Sequence, residues 1–449
     1  MFSTFFKFEI RYWLRGMMVY VFLFVISAMM FGAASVDEIQ VGGAIGNTNR
    51  NAPHVVQIFY VFSSILACLM VTAFVNGAAS RDFAYDSHQL IFTKPMSKLG
   101  YLMGRFWGAV AVAVIPMLGA SVGVILAKYM PWVDASKWGP ISWGAHLWGI
   151  LCFAIPNTIF VGCIVFAIAI WTRSTMASFL GVLGLLVAVA IANVMTSDLD
   201  NEVLTAMLHP FGASAFGQMT KYLSVADQNT KYVTLAGLLL WNRVLWLSVG
   251  LVVLGVSCWR FSFSAEHGEL RRWVHSTLSE VRSIAPDSRV AQAFLWLITL
   301  PLALLSGYRH DPTEAAPSTL AAVPKVHRSF GIGAGLTQLV SQIKVDFVTT
   351  IKSPVFIIVI LFGIIETFLS LSMSSSEGFG LASLPVTYKQ ISTIRTSLYL
   401  YLVVCITFYA GTVVWKERDA KLDEVYDRVA AFDMDFVSGQ ADGHHVDCV

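Results

Sequence analysis

Long apolar runs restrict the fold of this chain more than any other feature. We predict membrane spans at 16–35, 55–76, 102–127, 146–171, 176–195, 236–258, 354–373 and 396–415. A helix rises 1.5 Å per residue, so about 20 apolar residues are needed to cross about 30 Å of hydrocarbon. Only 13% of the residues are charged, about half the share that is usual in soluble domains. The sequence therefore predicts an all-α, polytopic transmembrane helical bundle with about eight spans.

A shorter apolar stretch at 293–307 contains Pro301. If this stretch were a span, the last two spans would cross the membrane in the opposite direction. We therefore interpret it as an interfacial or packed linker helix. Lys and Arg are concentrated in the N-terminal segment, in the 77–105 loop and after residue 260. This asymmetry predicts that both termini and the 77–105 loop are cytoplasmic, and that 197–235 faces outside.

The chain contains an internal repeat. Glu9 and Asp346 are 337 positions apart, and the same offset relates three charged residues of the 77–105 loop to three near the C-terminus. These pairs are Arg81 with Arg418, Asp82 with Asp419, and Asp86 with Asp423. A constant register across two spans indicates a six-span unit followed by the first part of a second unit in parallel orientation.

The charged insert of the 77–105 loop is a candidate docking site. Asp82 and Asp86 are four residues apart, hence on one helical face, and Arg81 lies beside them. We interpret the insert as a surface helix that docks a soluble motor subunit, with a simple solvated loop as the alternative. Lys94 and Lys98 can meet lipid head groups. The helix that carries Lys7, Arg11 and Arg15 is predicted to lie amphipathically at the membrane surface.

Several segments together resemble a known family. They are "FKFEIRYWLRG", "SRDFAYDSHQLIFTKPMSKLGYLMGRFWGAV", "LHPFGASAFGQMTKYLSVADQNTKY" and "LLLWNRVLWLSVGLVVL". The sequence resembles the permease subunit of ABC-2 type transporters, in particular the bacterial type related to fusions with an M1 aminopeptidase. The resemblance implies a bacterial inner-membrane protein that works with a separate ATPase subunit, as a homodimer or with a second permease. It implies coupling-helix roles for Arg81, Asp82, Asp86, Arg418, Asp419 and Asp423.

The spans and the internal repeat together predict a domain organisation, which the resemblance supports. Residues 1–260 form the first unit, 261–340 a cytosolic linker, and 341–427 a partial second unit. Residues 428–449 contain no span, and we expect a disordered or frame-shifted tail there. The metal-capable residues of its "HHVDC" are not expected to form a metal site.

Motifs for chemistry within the chain are scarce. It has no GxxxxGK[ST] for nucleotide hydrolysis and no HExxH for zinc peptidase activity. We therefore expect no enzyme and no bound cofactor, with ATP hydrolysed by a partner, and no pattern suggests nucleic-acid binding. Candidate pathway-lining residues are Pro156, Asn157, Arg243 and Glu366, because polar groups in spans usually face a bundle interior. Arg243 could instead extend to the interface. The alternative functions are a membrane anchor for a peptidase-associated complex and a polytopic membrane enzyme.

Overall fold

The computed structural model describes residues 1–36, 47–85, 87–173, 175–196, 202–261, 263, 332–351, 353–374 and 386–419. The chain divides into two compact units, Met1–Gly307 and Tyr308–Val449, which are described separately. The predictions for Asp86, Asp423, the stretch at 293–307 and the tail at 428–449 lie outside the described residues, as does most of the predicted linker.

The first unit consists, in its described part, of helices joined by turns and loops. Its helices are α1 (Phe2–Arg15), α2 (Met18–Ser35), α3 (Pro53–Ala84), α4 (His88–Ile91), α5 (Lys98–Ala113), α6 (Gly119–Lys128), α7 (Trp143–Gly149), α8 (Ile155–Thr172), α9 (Thr175–Thr196), α10 (Glu202–Leu208), α11 (Ala213–Thr220), α12 (Val225–Thr230) and α13 (Gly237–Arg260). A short 3₁₀ turn at Ile115–Leu118 joins α5 to α6, and a π-helical turn at Ile150–Ala154 joins α7 to α8.

Five helical stretches of the described residues are long and apolar enough to cross a membrane. They are Met18–Ser35, Pro53–Ala84, Lys98–Lys128, Trp143–Thr172 and Gly237–Arg260. Each contains most of one predicted span, so the prediction of a helical membrane bundle is confirmed. The fifth predicted span falls on α9, whose apolar part, Thr175–Ile191, is shorter. A total of eight spans stays a prediction.

Helix α3 is the central element of the first unit. It packs against α5, α7, α8 and α9, and large side chains such as Phe59, Phe74 and Tyr60 are fully buried along it. By contrast, α2 and α13 leave apolar side chains exposed, including Phe24 and Val252. An exposed apolar face on a long helix is the kind of surface that lipid covers, and α2 and α13 carry the largest share of exposed residues among the five long helices.

Glycines set the distance between α1–α2 and α5–α6. A Cβ on Gly104 would lie 2.7 Å from Phe5 Cβ, and one on Gly108 would lie 2.7 Å from Glu9 Cβ. A Cβ on Gly123, in α6, would lie 2.3 Å from the Ser27 carbonyl oxygen. Small residues spaced four apart allow helix backbones to approach closely. These glycines therefore let α1 pack on α5 and α2 pack on α6 at backbone contact.

Near the Pro53 end of α3, hydrogen bonds join the start of this helix to the loops that contain Gly139 and Val233. Gln57 Nε2 donates to Val233 O at 2.6 Å, and Gln57 Oε1 accepts from Val233 N at 2.8 Å. Asn51 makes the equivalent pair with the Gly139 backbone, at 2.9 and 2.7 Å. The sequence predicts all of these segments on one side of the membrane, and the structure places them together.

The second unit consists, in its described part, of α14 (Ile332–Ile351), α15 (Pro354–Ser374) and α16 (Thr387–Asp419). Helices α15 and α16 pack together, and Tyr401 Oη donates to Glu366 Oε2 at 3.1 Å. Shifting α2 by 337 residues gives 355–372, and shifting α3 gives 390–421. These ranges match α15 and α16 to within three residues, so the helix boundaries follow the register of the charged repeat.

Candidate functional site

Five polar side chains from three helices meet near the Ala84 end of α3. Glu9 comes from α1, Arg81 and Asp82 from the last turn of α3, and Tyr101 and Arg105 from α5. Glu9 and Asp82 carry the negative charges, and Arg81 and Arg105 carry the positive ones. We call this group the charge cluster. It joins the N-terminal helix to two membrane-spanning stretches.

Glu9 is the centre of the charge cluster. Its side chain is 0% exposed and accepts two parallel hydrogen bonds from Arg81, at 3.0 and 3.1 Å. Arg105 Nη1 donates to the same carboxylate. The Arg81 guanidinium also lies 3.7 Å from the centre of the Tyr12 ring. Bidentate arginine–carboxylate pairs combine charge with fixed geometry, so they hold α1 at one rotation against α3.

Asp82 forms the other half of the charge cluster. Its Oδ2 accepts from Tyr101 Oη at 2.6 Å and from Arg105 Nη2. Arg105 therefore bridges Glu9 and Asp82, which share no direct contact. Each buried carboxylate has a cationic partner, as the cost of removing a charge from water requires.

The structure corrects the predicted orientation of Asp82. The sequence placed its carboxylate on an exposed face for a partner, but the side chain is buried against α5. Arg81 likewise turns toward Glu9. The reason is that α3 continues as one helix to Ala84, so residues 81 and 82 belong to a span and face the bundle. The predicted coupling role of these two residues stays untested.

The insert itself is a short turn rather than one surface helix. After α3 ends at Ala84, α4 forms a single turn at His88–Ile91, and α5 begins at Lys98. Tyr85 and Leu90 are 75% and 76% exposed, and Leu99 is also exposed. The side chain of His88 is buried beside Phe83 and Phe92. Among its described residues, the 84–97 turn exposes the aromatic and apolar side chains of Tyr85 and Leu90 beside the polar ones of Gln89, Thr93 and Lys94.

Two features of the sequence indicate the charge cluster. Arg105 lies inside the third predicted span, where a charge needs a partner. Glu9 lies on the α1 face opposite Lys7, Arg11 and Arg15, so it cannot pair with them along the helix. A buried acid and a span arginine together indicate an ion pair between helices.

A second polar group lies around Arg243. Its side chain is 2% exposed, and it donates to Asn157 Oδ1 at 2.6 Å and to Pro210 O at 3.1 Å, as well as to Asn242 Oδ1. All these acceptors are neutral. Asn242 in turn donates to the carbonyl oxygens of Ala206 and His209, at 2.8 and 3.0 Å.

These contacts clamp the 206–212 segment against α8 and α13. Arg243 therefore does not extend to the interface; it points into the bundle. Asn157 is buried and also bonds to Phe211 O at 3.4 Å. Pro156 is buried at the first turn of α8, where its missing N–H is tolerated. The role of Pro156, Asn157 and Arg243 in lining a pathway stays a prediction. In this structure, Asn157 and Arg243 bond to each other and to the 206–212 segment.

His209 lies beside this clamp. Burial, together with the positive charge of Arg243, lowers the pKa of His209 to about 4. The imidazole is therefore neutral near pH 7 and adds no second positive charge beside the guanidinium. This neutrality matters because Arg243 has no carboxylate partner in the described part of the chain.

Gly212 provides a test of the clamp. It has a φ of +71°, and a Cβ there would lie 2.1 Å from Arg243 Nη2. We expect Gly212→Ala to destabilise the unit by about 1–3 kcal/mol, because it strains the backbone and displaces the buried guanidinium. Unfolding in mixed detergent micelles measures this loss. Gly217→Ala is the matched control, since nothing lies within 4 Å of a Cβ there; equal losses would contradict the clamp.

The remaining predicted site residues belong to the second unit. Glu366 lies in α15 and pairs with Tyr401. Arg418 and Asp419 lie in the last turn of α16, and their side chains are outside the described part. Among the described residues, no group of three His, Cys, Asp or Glu side chains could hold a metal ion.

Comparisons with known proteins add no family. No protein-family model matches the chain, and no curated protein matches it. Fold and site together define a helical, multi-pass membrane protein with a charge cluster at one end of its bundle.

Proposed function

We propose that this chain is the membrane-spanning permease subunit of an ATP-driven transporter of the ABC-2 type. It would export an unidentified substrate from a bacterial cell, with ATP hydrolysed by a separate subunit. The sequence segments quoted above support the family, and the multi-pass helical fold is compatible with it. The proposal keeps both termini and the 84–97 turn on the cytoplasmic side, as the distribution of Lys and Arg predicts.

The observation that carries the proposal is the position of the charge cluster beside the 84–97 turn. A motor outside the membrane can act only through a stiff contact with the spans. The turn connects α3 directly to α5, and the charge cluster ties both helices to α1 through ion pairs. A push on the turn therefore reaches three helices together. The exposed apolar side chains of Tyr85 and Leu90 provide the contact surface for the ATPase.

Replacement of this surface tests the proposal. With Tyr85→Asp and Leu90→Asp, we expect that no ATPase subunit copurifies with the tagged chain and that the purified sample does not hydrolyse ATP. The reason is that a docking contact depends on a few anchor residues that the partner buries. The chain itself should remain in the membrane, since both side chains are exposed. The readouts are ATPase activity and the presence of a GxxxxGK[ST] protein in the purified complex.

Two further variants make this test specific. Tyr129→Asp with Tyr222→Asp changes equally exposed side chains near the other end of the bundle and should leave the ATPase bound. Asp82→Asn should weaken the fold rather than docking, because Asp82 is buried. If no ATPase copurifies with the unaltered chain, transport by this mechanism is refuted. A peptidase in its place would favour the anchor function.

A further inference from the structure

A groove lies at the elbow between α1 and α2. It has a volume of about 700 Å³, and its lining includes Arg11, Tyr12, Trp13, Arg15 and Gly16. Gly16 is extended, with φ −81° and ψ 151°, and this turns the chain from α1 into α2. Tyr20 Oη donates to Leu14 O at 3.1 Å across the elbow, which holds the angle between the two helices. The Gly16 turn and this hydrogen bond therefore define the angle at which α1 and α2 enclose the groove.

The groove contains two arginines without a carboxylate. Arg11 and Arg15 are four apart on α1, hence on one face, and both are exposed. Neither makes an ion pair or side-chain hydrogen bond within the described part of the chain. The neighbouring Arg81 and Arg105 both have carboxylate partners. The elbow thus presents about two positive charges that the protein itself does not neutralise.

The elbow also lies where a bilayer surface must be. Helix α2 begins at Met18 and is an 18-residue span, so the residues just before it are at the level of the head groups. Below the groove, α2 exposes Val21 and Phe24 on its apolar surface. A ligand of the groove therefore has its charged part at the arginines and an apolar path leading into the membrane.

We propose that this groove is a binding site for an anionic phospholipid. The phosphate group accepts hydrogen bonds from Arg11 and Arg15, whose planar guanidinium groups match phosphate oxygens. Tyr12 and Trp13 supply aromatic surface at the depth where such rings favour the interface. The acyl chains follow Val21 and Phe24 along α2. A free phosphate ion satisfies the arginines but leaves this apolar path unused, so the lipid is the ligand that fits the whole groove.

The bound lipid connects the bilayer to the charge cluster. Arg11 and Arg15 are on the same helix as Glu9, which pairs with Arg81 and Arg105. The lipid therefore binds the face of α1 opposite the one that carries Glu9. The proposal does not depend on transport: the site exists whether or not an ATPase binds the chain.

Lipid titration of the purified full chain tests the proposal. Native mass spectrometry from detergent micelles gives a dissociation constant for the first bound dioleoyl phosphatidylglycerol. A basic residue contributes about five-fold to binding at an anionic surface, so we expect Arg11→Gln with Arg15→Gln to weaken this binding about 25-fold. Phosphatidylcholine, which has no net charge, should bind weakly to both proteins. Arg11→Lys with Arg15→Lys should recover part of the affinity, because charge is kept and the fork geometry is lost.

The controls separate a built site from general charge. Lys221→Gln with Arg395→Gln removes two exposed positive charges elsewhere and should change the dissociation constant less than two-fold. If this pair weakens phosphatidylglycerol binding as much as the elbow pair does, the groove is not a site. Inorganic phosphate in large excess over the lipid should not displace it. Full displacement would identify a phosphate-ion site and overturn the lipid assignment.

Discussion

Arg105→Met should lower the free energy of unfolding of the first unit by about 3–5 kcal/mol, since removing one partner of a buried ion pair leaves charges uncompensated. Arg105 is the only residue that contacts both Glu9 and Asp82 within the charge cluster. Without it, Asp82 keeps Tyr101 as a neutral donor, and Glu9 keeps Arg81. Methionine keeps most of the volume of the arginine side-chain stem. The loss of stability therefore comes from the missing charge more than from a cavity. Equilibrium unfolding by SDS in mixed micelles, followed by circular dichroism, measures the change.

Two variants accompany this measurement. Lys7→Met removes a positive charge from an exposed position of α1 and should change stability by less than about 0.5 kcal/mol. Adding Asp82→Asn to Arg105→Met should restore part of the loss, because it removes a carboxylate that the first change leaves without a cation. An Arg105→Met protein as stable as the unaltered chain would show that the charge cluster does not close as described.

Gly104→Leu should separate α1 from α5. A Cβ at this position would lie 2.7 Å from Phe5 Cβ and 2.8 Å from Phe2 O, and the latter is backbone that cannot rotate away. Overpacking alone costs about 1–3 kcal/mol. The displaced helix also withdraws Glu9 from both arginines, which adds part of the loss expected for Arg105→Met. A cysteine at Phe5, which packs edge-on against Tyr101, should become reactive toward a thiol reagent in the Gly104→Leu background.

Gly255→Leu is the matched control for this change. Gly255 also lies in a spanning helix, α13, but nothing is within 4 Å of a Cβ there. Its substitution should leave both stability and the reactivity at position 5 near those of the unaltered chain. If both leucine variants behave alike, close approach at Gly104 does not determine the packing of α1.

The sequence was sufficient for features that depend on local pattern. Apolar length located Pro53–Ala84 and Gly237–Arg260, because hydrocarbon thickness sets a length that can be counted. The 337-residue offset between Glu9 and Asp346 also predicts the break between α14 and α15, because it maps the break between α1 and α2 onto that position. Neither result requires knowledge of which residues touch.

The orientation of individual charged residues could not be predicted in the same way. Aspartate is usually found at the surface. Asp82 can be buried because Arg105, from another helix, compensates the cost of removing its charge from water. That approach depends on Gly104 and Gly108, whose role is visible only once α1 is placed beside α5. Arg243 posed the same problem, because its acceptors include the Asn157 amide of another helix and a backbone oxygen of the distant 206–212 segment.

The wide sequence separation within the charge cluster has a consequence for biosynthesis. Arg81 follows Glu9 by 72 residues and Arg105 follows it by 96. At about 5–20 residues per second, a ribosome needs about 5–20 s to make that interval. Until Arg81 and then Arg105 are made, Glu9 lacks the two partners it has in the folded chain, so α1 must remain in water or among head groups while the first two spans enter the membrane. The N-terminal helix is thus made first but docks only after α5 has emerged, and the order of synthesis differs from the order of assembly.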